Sequence, residues 1–275
     1  FGVDEGPPVA ANNALTNRPS VLLALTEKRE LNLIVKSSSP PGAASIRRQQ
    51  AVTNVAQALV ALDAMPNSAS LTDEPTADML RALAPEMPAS RAFVIANSWL
   101  FEPLILFQLR NAPGAEDLIA TTVSPTVVEG GANQTLNPSE ARAMINVRLH
   151  PRETPEQFIE RARMIVSAFP GVTLEWEEEP GPPIPMSSDK SAAFRLVATL
   201  ASKSAGNVTV APCLYIGSTD ARHYTGVAQD LYRHTPALWN DDDVRNVMGP
   251  REHLSRDNLA RMIGFYKSII VEAAG

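Results

Sequence analysis

The sequence is poor in cysteine, in long apolar runs and in excess positive charge. Its 275 residues include one cysteine, Cys213, so no internal disulfide can brace the fold. Cys213 stands in an apolar, strand-like stretch, where a packed core thiol is the natural reading rather than a nucleophile. No apolar run approaches the roughly 20 residues that a membrane-crossing helix needs. The nearest, Ala92 to Leu109, is interrupted by Asn97, Ser98, Glu102, Pro103 and Gln108 and reads as a buried or semi-buried segment. A net charge of -6 and a pI of about 5.3 argue against a general binder of nucleic acid or other polyanions. The chain opens Phe1-Gly-Val-Asp-Glu-Gly, with no initiator Met, basic leader or apolar leader core. It is therefore expected to be a fragment or a processed form, and the lack of a targeting signal is uninformative. Asn133-Gln-Thr and Asn207-Val-Thr match the glycosylation sequon, a pattern short enough to recur by chance.

Hydrophobic residues make up 44% of the chain, enough to build one large domain or two ordinary ones. The first residues read as the end of a strand running into Asp4-Glu5, and Ser20 to Ala24 as a short strand. Leu31 to Val35 alternates as a strand does, and Ala43 to Met65 has helical periodicity up to Pro66. Leu71 to Asn111 reads as two or three short helices. Thr121 to Val128 and Glu140 to Leu149 look like an antiparallel pair. Thr154 with Gln157 forms a capping box for a helix over Pro155 to Ala168, followed by a strand at Val172 to Trp176. The order from Leu31 to Trp176 is that of a ferredoxin-like split βαβ unit with inserted helices. Gly181-Pro-Pro-Ile-Pro is a linker by composition. A helix at Ser191 to Lys203, a strand at Val208 to Ile216 and a terminal helix at Asp257 to Ala274 complete the chain. The fold class expected is α/β: residues 1–29 and 182–275 form one domain, into which a ferredoxin-like α+β lid or dimerisation domain, residues 30–181, is inserted.

The most site-like stretch is Gly217 to His253. An apolar strand feeds a glycine, polar and ionisable side chains follow at once (Ser218, Thr219, Asp220, Arg222, His223), and a Gly249-Pro250 turn then carries Glu252 and His253. Strand ends opening onto loops are where α/β proteins keep their chemistry. An ordinary surface loop is the competing reading.

Six segments follow one another in a particular order: Val3-Asp-Glu-Gly, Glu27-Lys28, Gly130-Gly131 through Pro138, Asn146-Val-Arg-Leu, Thr219-Asp-Ala-Arg and Gly249-Pro-Arg-Glu. That order resembles the di-zinc exopeptidase family of aminoacylase-1, Gly-Xaa carboxypeptidase, carnosinase and succinyl-diaminopimelate desuccinylase, with the Gly-Xaa carboxypeptidase branch closest. The resemblance covers essentially the whole chain but only the C-terminal part of the family's length. It implies amide hydrolysis by two zinc ions, one polarising the carbonyl and both activating a bridging water. It also implies a small peptide or N-acyl amino acid as substrate and a homodimer formed through the inserted domain.

Carried onto this chain, the resemblance makes Asp4 a metal ligand and sets Arg222, Arg148, Asp220 and Thr135 on the substrate side. A guanidinium at Arg222 could grip a substrate carboxylate bidentately; an ion pair with Asp220 is the structural alternative. For Arg148 the alternative is surface pairing, and for Asp4 a turn acid. Glu252 matches the family's Glu after the last metal ligand, or is a helix N-terminal acid. Other family positions are altered. Met248 stands where the last zinc-binding His is expected, Ala43 where a lid His would reach a substrate oxygen, and Thr135 where a lid Asn is expected. A thioether suits zinc less well than imidazole does. His253 is a distant substitute. His150, His223 and His234 have no ligand spacing and read as structural or surface residues. The His-Xaa-Asp motif, the bridging Asp and the paired Glu are expected upstream of Phe1. Two readings follow: the C-terminal part of a zinc amidohydrolase, inactive as this chain, or a non-catalytic homologue kept for dimerisation or ligand binding.

Overall fold

The computed structural model describes residues 1–43, 50–66, 69–71, 75–112 and 115–274. Strands β1 (Gly2–Asn13), β2 (Arg18–Glu27), β3 (Arg29–Ser38) and the two-residue β4 (Gly42–Ala43) come first, then helix α1 (Ala51–Asp63). Helices α2 (Pro75–Leu83), α3 (Ala89–Ala96) and α4 (Ser98–Asn111) follow. Next are β5 (Thr122–Gly130), the short β6 (Leu136–Asn137), β7 (Glu140–Leu149), α5 (Pro155–Val166) and β8 (Val172–Trp176). The chain ends with α6 (Ala192–Ser204), β9 (Thr209–Tyr215), β10 (Leu231–Trp239), α7 (Asp241–Arg245) and α8 (Arg256–Ala274). These elements fall into two compact units, one of Lys28–Ala69 with Ala120–Pro183, the other of Phe1–Glu27, Ser70–Ile119 and Ile184–Gly275.

The Lys28 unit is a four-stranded sheet in the order β5-β7-β3-β8, antiparallel throughout. With α1 and α5 between its strands in sequence, this is the expected ferredoxin-like arrangement. Alternation dictates it. Leu31, Leu33 and Val35 on β3 and Ala143, Ile145 and Val147 on β7 all point to one face, because successive side chains of a strand point to opposite sides. Val55, Leu59 and Leu62 of α1 and Phe158, Ile159 and Ala162 of α5 complete that core. The Thr154 capping box is present: its hydroxyl accepts from Gln157 N at 3.2 Å and its own N–H donates to Gln157 Oε1 at 3.0 Å. The opposite sheet face carries ion pairs, Lys36 with Glu175 at 2.7 Å and Arg142 with Glu129 at 2.6 Å. β5 is an edge strand whose residues from Ser124 onward are exposed. The helix expected from Ala43 begins at Ala51, whose N–H donates to Ser39 Oγ at 3.1 Å; Ile46 lies outside the described residues.

The Phe1 unit has a mixed sheet in the order β1-β10-β2-β9. β1 pairs parallel with β10 and β2 parallel with β9, whereas β2 and β10 are antiparallel. Val9, Val21, Leu23, Leu25, Val197, Tyr232, Phe265 and Ile269 pack between this sheet and helices α6 and α8. Here the structure departs from the sequence reading. The first strand does not end at Asp4-Glu5 but continues to Asn13. β10 and α7 were not anticipated. Helices α2, α3 and α4 belong with the Phe1 unit, whereas the inserted domain was expected to span 30–181 without a break. The physical reason is that α2 lies along β9 and Glu86 accepts a hydrogen bond from the Thr209 hydroxyl. The Ala92–Leu109 segment is semi-buried. Ile95, Ile105 and Leu109 are buried, but Phe93, Trp99, Leu100, Leu104 and Phe107 are exposed.

Candidate functional site

β2 and β9 run parallel and end together, with Glu27 opposite Tyr215 in register. Just beyond that end the chain turns through Gly217 and Ser218 into a single helical turn, Asp220–Tyr224. The turn is anchored from below. Glu27 Oε2 accepts hydrogen bonds from Thr219 N (3.1 Å), Thr219 Oγ1 (2.6 Å) and Arg233 Nε (2.8 Å). Thr219 Oγ1 in turn accepts from Ala221 N at 3.3 Å and so caps the turn. Arg233 Nη1 donates to Leu231 O at 2.9 Å. The side chains of Glu27 and Arg233 are both 0% exposed. A buried ion pair is tolerated only when further hydrogen bonds help satisfy it, and this carboxylate oxygen collects three donors.

Asp4 sits opposite Arg233 across the parallel β1–β10 pairing. Its Oδ1 accepts from Glu5 N at 2.8 Å, while its Oδ2 is buried with no hydrogen-bond partner among the described residues. Glu27 Oε1 and Arg233 Nη2 are likewise buried and unpartnered. Gly6 completes the Asp-Glu-Gly run for a steric reason: a Cβ there would come within 2.4 Å of the Arg233 carbonyl carbon. Beside Arg233, the fully buried His234 ring places Nδ1 3.0 Å from Pro7 O and lies edge-on to Phe265. Burial pulls the His234 pKa down to about 4, against the smaller upward pull of hydrogen bonds to Pro7 and Leu22, so the ring is neutral near pH 7. Burial first, then the charges of Asp4 and Glu5, push the Tyr266 phenol up.

The expected site residues are placed as follows. Arg222 is exposed on the anchored turn, its guanidinium donating to Ser218 Oγ and, at 3.2 Å, to His223 Nε2; Asp220 is exposed beside it. The expected Arg222–Asp220 alternative is thus replaced by contacts with Ser218 and His223. β1 and β10 both lie against this turn, so Asp4, Arg233 and the Arg222 turn belong to one neighbourhood. Arg148 lies on the polar face of the Lys28 unit, paired with Glu30 at 3.1 Å and donating to Asn146 Oδ1 at 3.0 Å, which is the surface pairing weighed for it. Thr135 is exposed in a tight turn in which its N–H and hydroxyl both donate to Asn133 Oδ1 at 2.8 Å. Ala43 lies on β4, its backbone in register with Leu136. Met248 is 95% exposed in a left-handed backbone conformation, φ +56°, and its N–H donates to Glu252 Oε2 at 2.9 Å. Glu252 therefore closes this turn; it lies before α8 rather than in its first turn. His223 and His253 are exposed, His150 and His234 buried.

Zinc takes three protein ligands in catalytic sites and four in structural ones. Among the described residues, no three His, Cys, Asp or Glu side chains group so as to hold a metal ion. Asp4 Oδ2 offers one oxygen, so these donors do not by themselves fit the ion. What the structure does bring together is Arg222, on a turn fixed from within by Thr219 and Glu27, and Asp4. Glu27 and Arg233, which fix it, carry no sequence signal of their own beyond the Glu27-Lys28 segment.

The fold defines a class: a mixed-sheet α/β unit interrupted in sequence by a ferredoxin-like unit. Residues 37–171 match the peptidase dimerisation domain of the M20 family. The chain is 28% identical over 273 residues to a probable carboxypeptidase S-like 2 of Dictyostelium discoideum, an alignment covering 98% of this chain and 52% of that protein. It is 27% identical over 293 residues to the human N-fatty-acyl-amino acid synthase/hydrolase PM20D1, covering 99% and 55% respectively. The M20 family metallo-carboxypeptidase Sso-CP2 from Sulfolobus solfataricus has the same fold, with a TM-score of 0.62 at 15% identity over 96% of this chain and 61% of that one. The chain thus carries an M20 dimerisation domain and is a relative of the M20 carboxypeptidases. It spans about half the length of the curated relatives it matches.

Proposed function

We propose that this chain is the part of a zinc-dependent M20-type amidohydrolase that pairs the dimerisation domain with the carboxylate-binding edge of the catalytic unit. The reaction is hydrolysis of an amide next to a free carboxylate, in a small peptide or an N-acyl amino acid. The observation that carries this reading is the Glu27–Arg233–Thr219 anchor, which fixes the turn presenting Arg222 in the same neighbourhood as Asp4. Arg222 would hold the substrate carboxylate in its planar guanidinium fork, and Asp4 would supply one metal oxygen. Arg148 and Thr135, on the dimerisation domain, are the further substrate-binding residues that the family resemblance implies. β5 lies at the edge of its sheet, where a second copy could add a strand.

A second reading is favoured by Met248: a neutral thioether, 95% exposed, stands in the loop where the family resemblance expects the last imidazole ligand. On that reading the chain binds carboxylate ligands and dimerises without turnover. One experiment separates the two. An N-acyl amino acid and its methyl ester are titrated against the chain by calorimetry, with zinc content and amide hydrolysis measured alongside. Binding of the acid only, weakened at least tenfold by Arg222→Met, is expected under both readings; equal binding of acid and ester sinks both. Turnover with bound zinc selects the hydrolase, and binding without either selects the non-catalytic homologue.

A further inference from the structure

The exposed arginines Arg81, Arg142 and Arg245 are each held by a carboxylate, that of Asp78, Glu129 and Asp242 respectively. Arg222 is held in another way. Asp220 lies two residues away, yet among the described residues Arg222 makes no ion pair. Its partners are neutral. Nε donates to His223 Nε2 at 3.2 Å, Nη1 donates to Ser218 Oγ, and the Arg222 carbonyl accepts from Thr225 Oγ1 at 3.3 Å. Nη2 meets no acceptor among the described residues.

The choice of partner decides what the guanidinium can still do. A carboxylate fixes it but offsets its charge and can take two of its N–H groups in a fork. A hydroxyl or an imidazole nitrogen takes one N–H and brings no charge. With Nε–H and one hydrogen of Nη1 engaged, both hydrogens of Nη2 and the other of Nη1 are left for a ligand. Because His223 Nε2 accepts, it carries no proton, and the ring's hydrogen sits on Nδ1. Both partners ride on the anchored segment. Ser218 is half-buried and precedes Thr219, whose hydroxyl donates to the buried Glu27 carboxylate at 2.6 Å, and His223 lies on the turn that Thr219 caps. A long, flexible side chain is thus oriented before any ligand arrives, which lowers the ordering cost of binding.

We propose that Ser218 and His223 are positioning residues for carboxylate recognition: they fix the Arg222 guanidinium while leaving its charge and its Nη2 group to one carboxylate of the ligand. This rests on Arg222 being the residue that binds that carboxylate.

Calorimetric titration of the full chain with an N-acyl amino acid and its methyl ester gives the quantity that decides it, the ratio of the two affinities. His223→Phe keeps a ring and removes the acceptor, and should lower the preference for the acid about fivefold. His223→Gln places an amide oxygen near the position of Nε2 and should restore the preference to within about twofold of the native value. Ser218→Ala should lower it about fivefold. Ester affinity should be unchanged in all three variants. Nitrogen NMR above neutral pH, with His223→Gln supplying the assignment, should find Nδ1 of His223 protonated and Nε2 not. The proposal is overturned, with carboxylate binding intact, if the native chain prefers the acid, Arg222→Met removes the preference, and His223→Phe and Ser218→Ala retain it. It is overturned as well if His223→Gln is no better than His223→Phe, since the ring then acts by packing, or if Nε2 carries the proton. A native chain that does not distinguish acid from ester overturns the carboxylate reading and the proposal together.

Discussion

The Lys28 unit and the Phe1 unit place their polar and apolar groups differently. In the first, the core between sheet and helices is hydrocarbon and most charge lies outside, the fully buried Lys28, which donates to the Thr122 hydroxyl at 3.1 Å, being the exception. Leu33, Val35, Ile145, Val147 and Phe158 are all 0% exposed, while Lys36–Glu175 and Arg142–Glu129 face solvent. In the second, the largest fully buried side chains include Arg233 and Tyr232, and an apolar helix face stands in water. An antiparallel sheet with two helices on one face needs only alternating residues to fold. The Phe1 unit keeps a desolvated ion pair and a neutral histidine among its strands, and this arrangement fixes a loop rather than fills a core. Protein stability is a small residue of large opposing terms, so an expensive group of this kind signals a positional requirement.

Breaking the ion pair gives the largest expected effect. Arg233→Ala leaves Glu27 charged and unpaired in the interior and should cost about 3–5 kcal/mol. Urea unfolding measures the loss, and hydrogen exchange should locate it in β2, β9 and β10 with the Lys28 unit protected. Replacing both partners, Glu27→Leu with Arg233→Met, should cost far less while still freeing Thr219 and the Arg222 turn. A double variant as unstable as Arg233→Ala would show that the pair matters for packing alone.

In the Lys28 unit an effect of similar size requires the loss of hydrocarbon. Phe158→Ala removes a fully buried ring and should cost about 3–5 kcal/mol, with no dependence on pH between 5 and 8. The Phe1 unit should respond to pH through His234. Its folded pKa of about 4 lies below the unfolded value of 6.5, so its contribution is fully present above pH 6.5, falls as protons bind the unfolded chain, and is gone below pH 4. The amount is on the order of 3 kcal/mol. Denaturant midpoints measured from pH 7 to 4 should decline, and His234→Gln should flatten that part of the decline. The smallest effect is local: Thr154→Ala removes a hydroxyl cap from α5 and should cost about 1 kcal/mol by thermal unfolding.

This contrast explains what could be read from the sequence. The strands of the Lys28 unit, its capping box and the helix and strand that follow were legible because each rule acts over a few residues. β10 was missed because Arg233, His234 and Pro236 make a polar-looking, proline-containing run. That run is a strand because Glu27, 206 residues away, neutralises Arg233 and because the backbone of Pro7 receives His234. The Arg222 loop was legible as a candidate from its glycine and its polar cluster, whereas its anchor was not. Ala92 to Leu109 is semi-buried, within the expectation for it, but composition did not say which face of each helix finds a partner.

By itself the sequence determined the ferredoxin-like order, the ends of several elements such as β7, α5, β8 and α6, the likeness to di-zinc exopeptidases and the residues that could carry a site. Those follow from periodicity, capping and local motifs, which act over short separations. Only the tertiary structure decided that helices α2 to α4 go with the mixed sheet, that Glu27 and Arg233 meet out of solvent, that Arg148 is engaged by Glu30, and that Met248 and Trp99 face water. Each of these depends on contacts between segments far apart in the chain, where the gain from a contact is set by what else is already buried beside it.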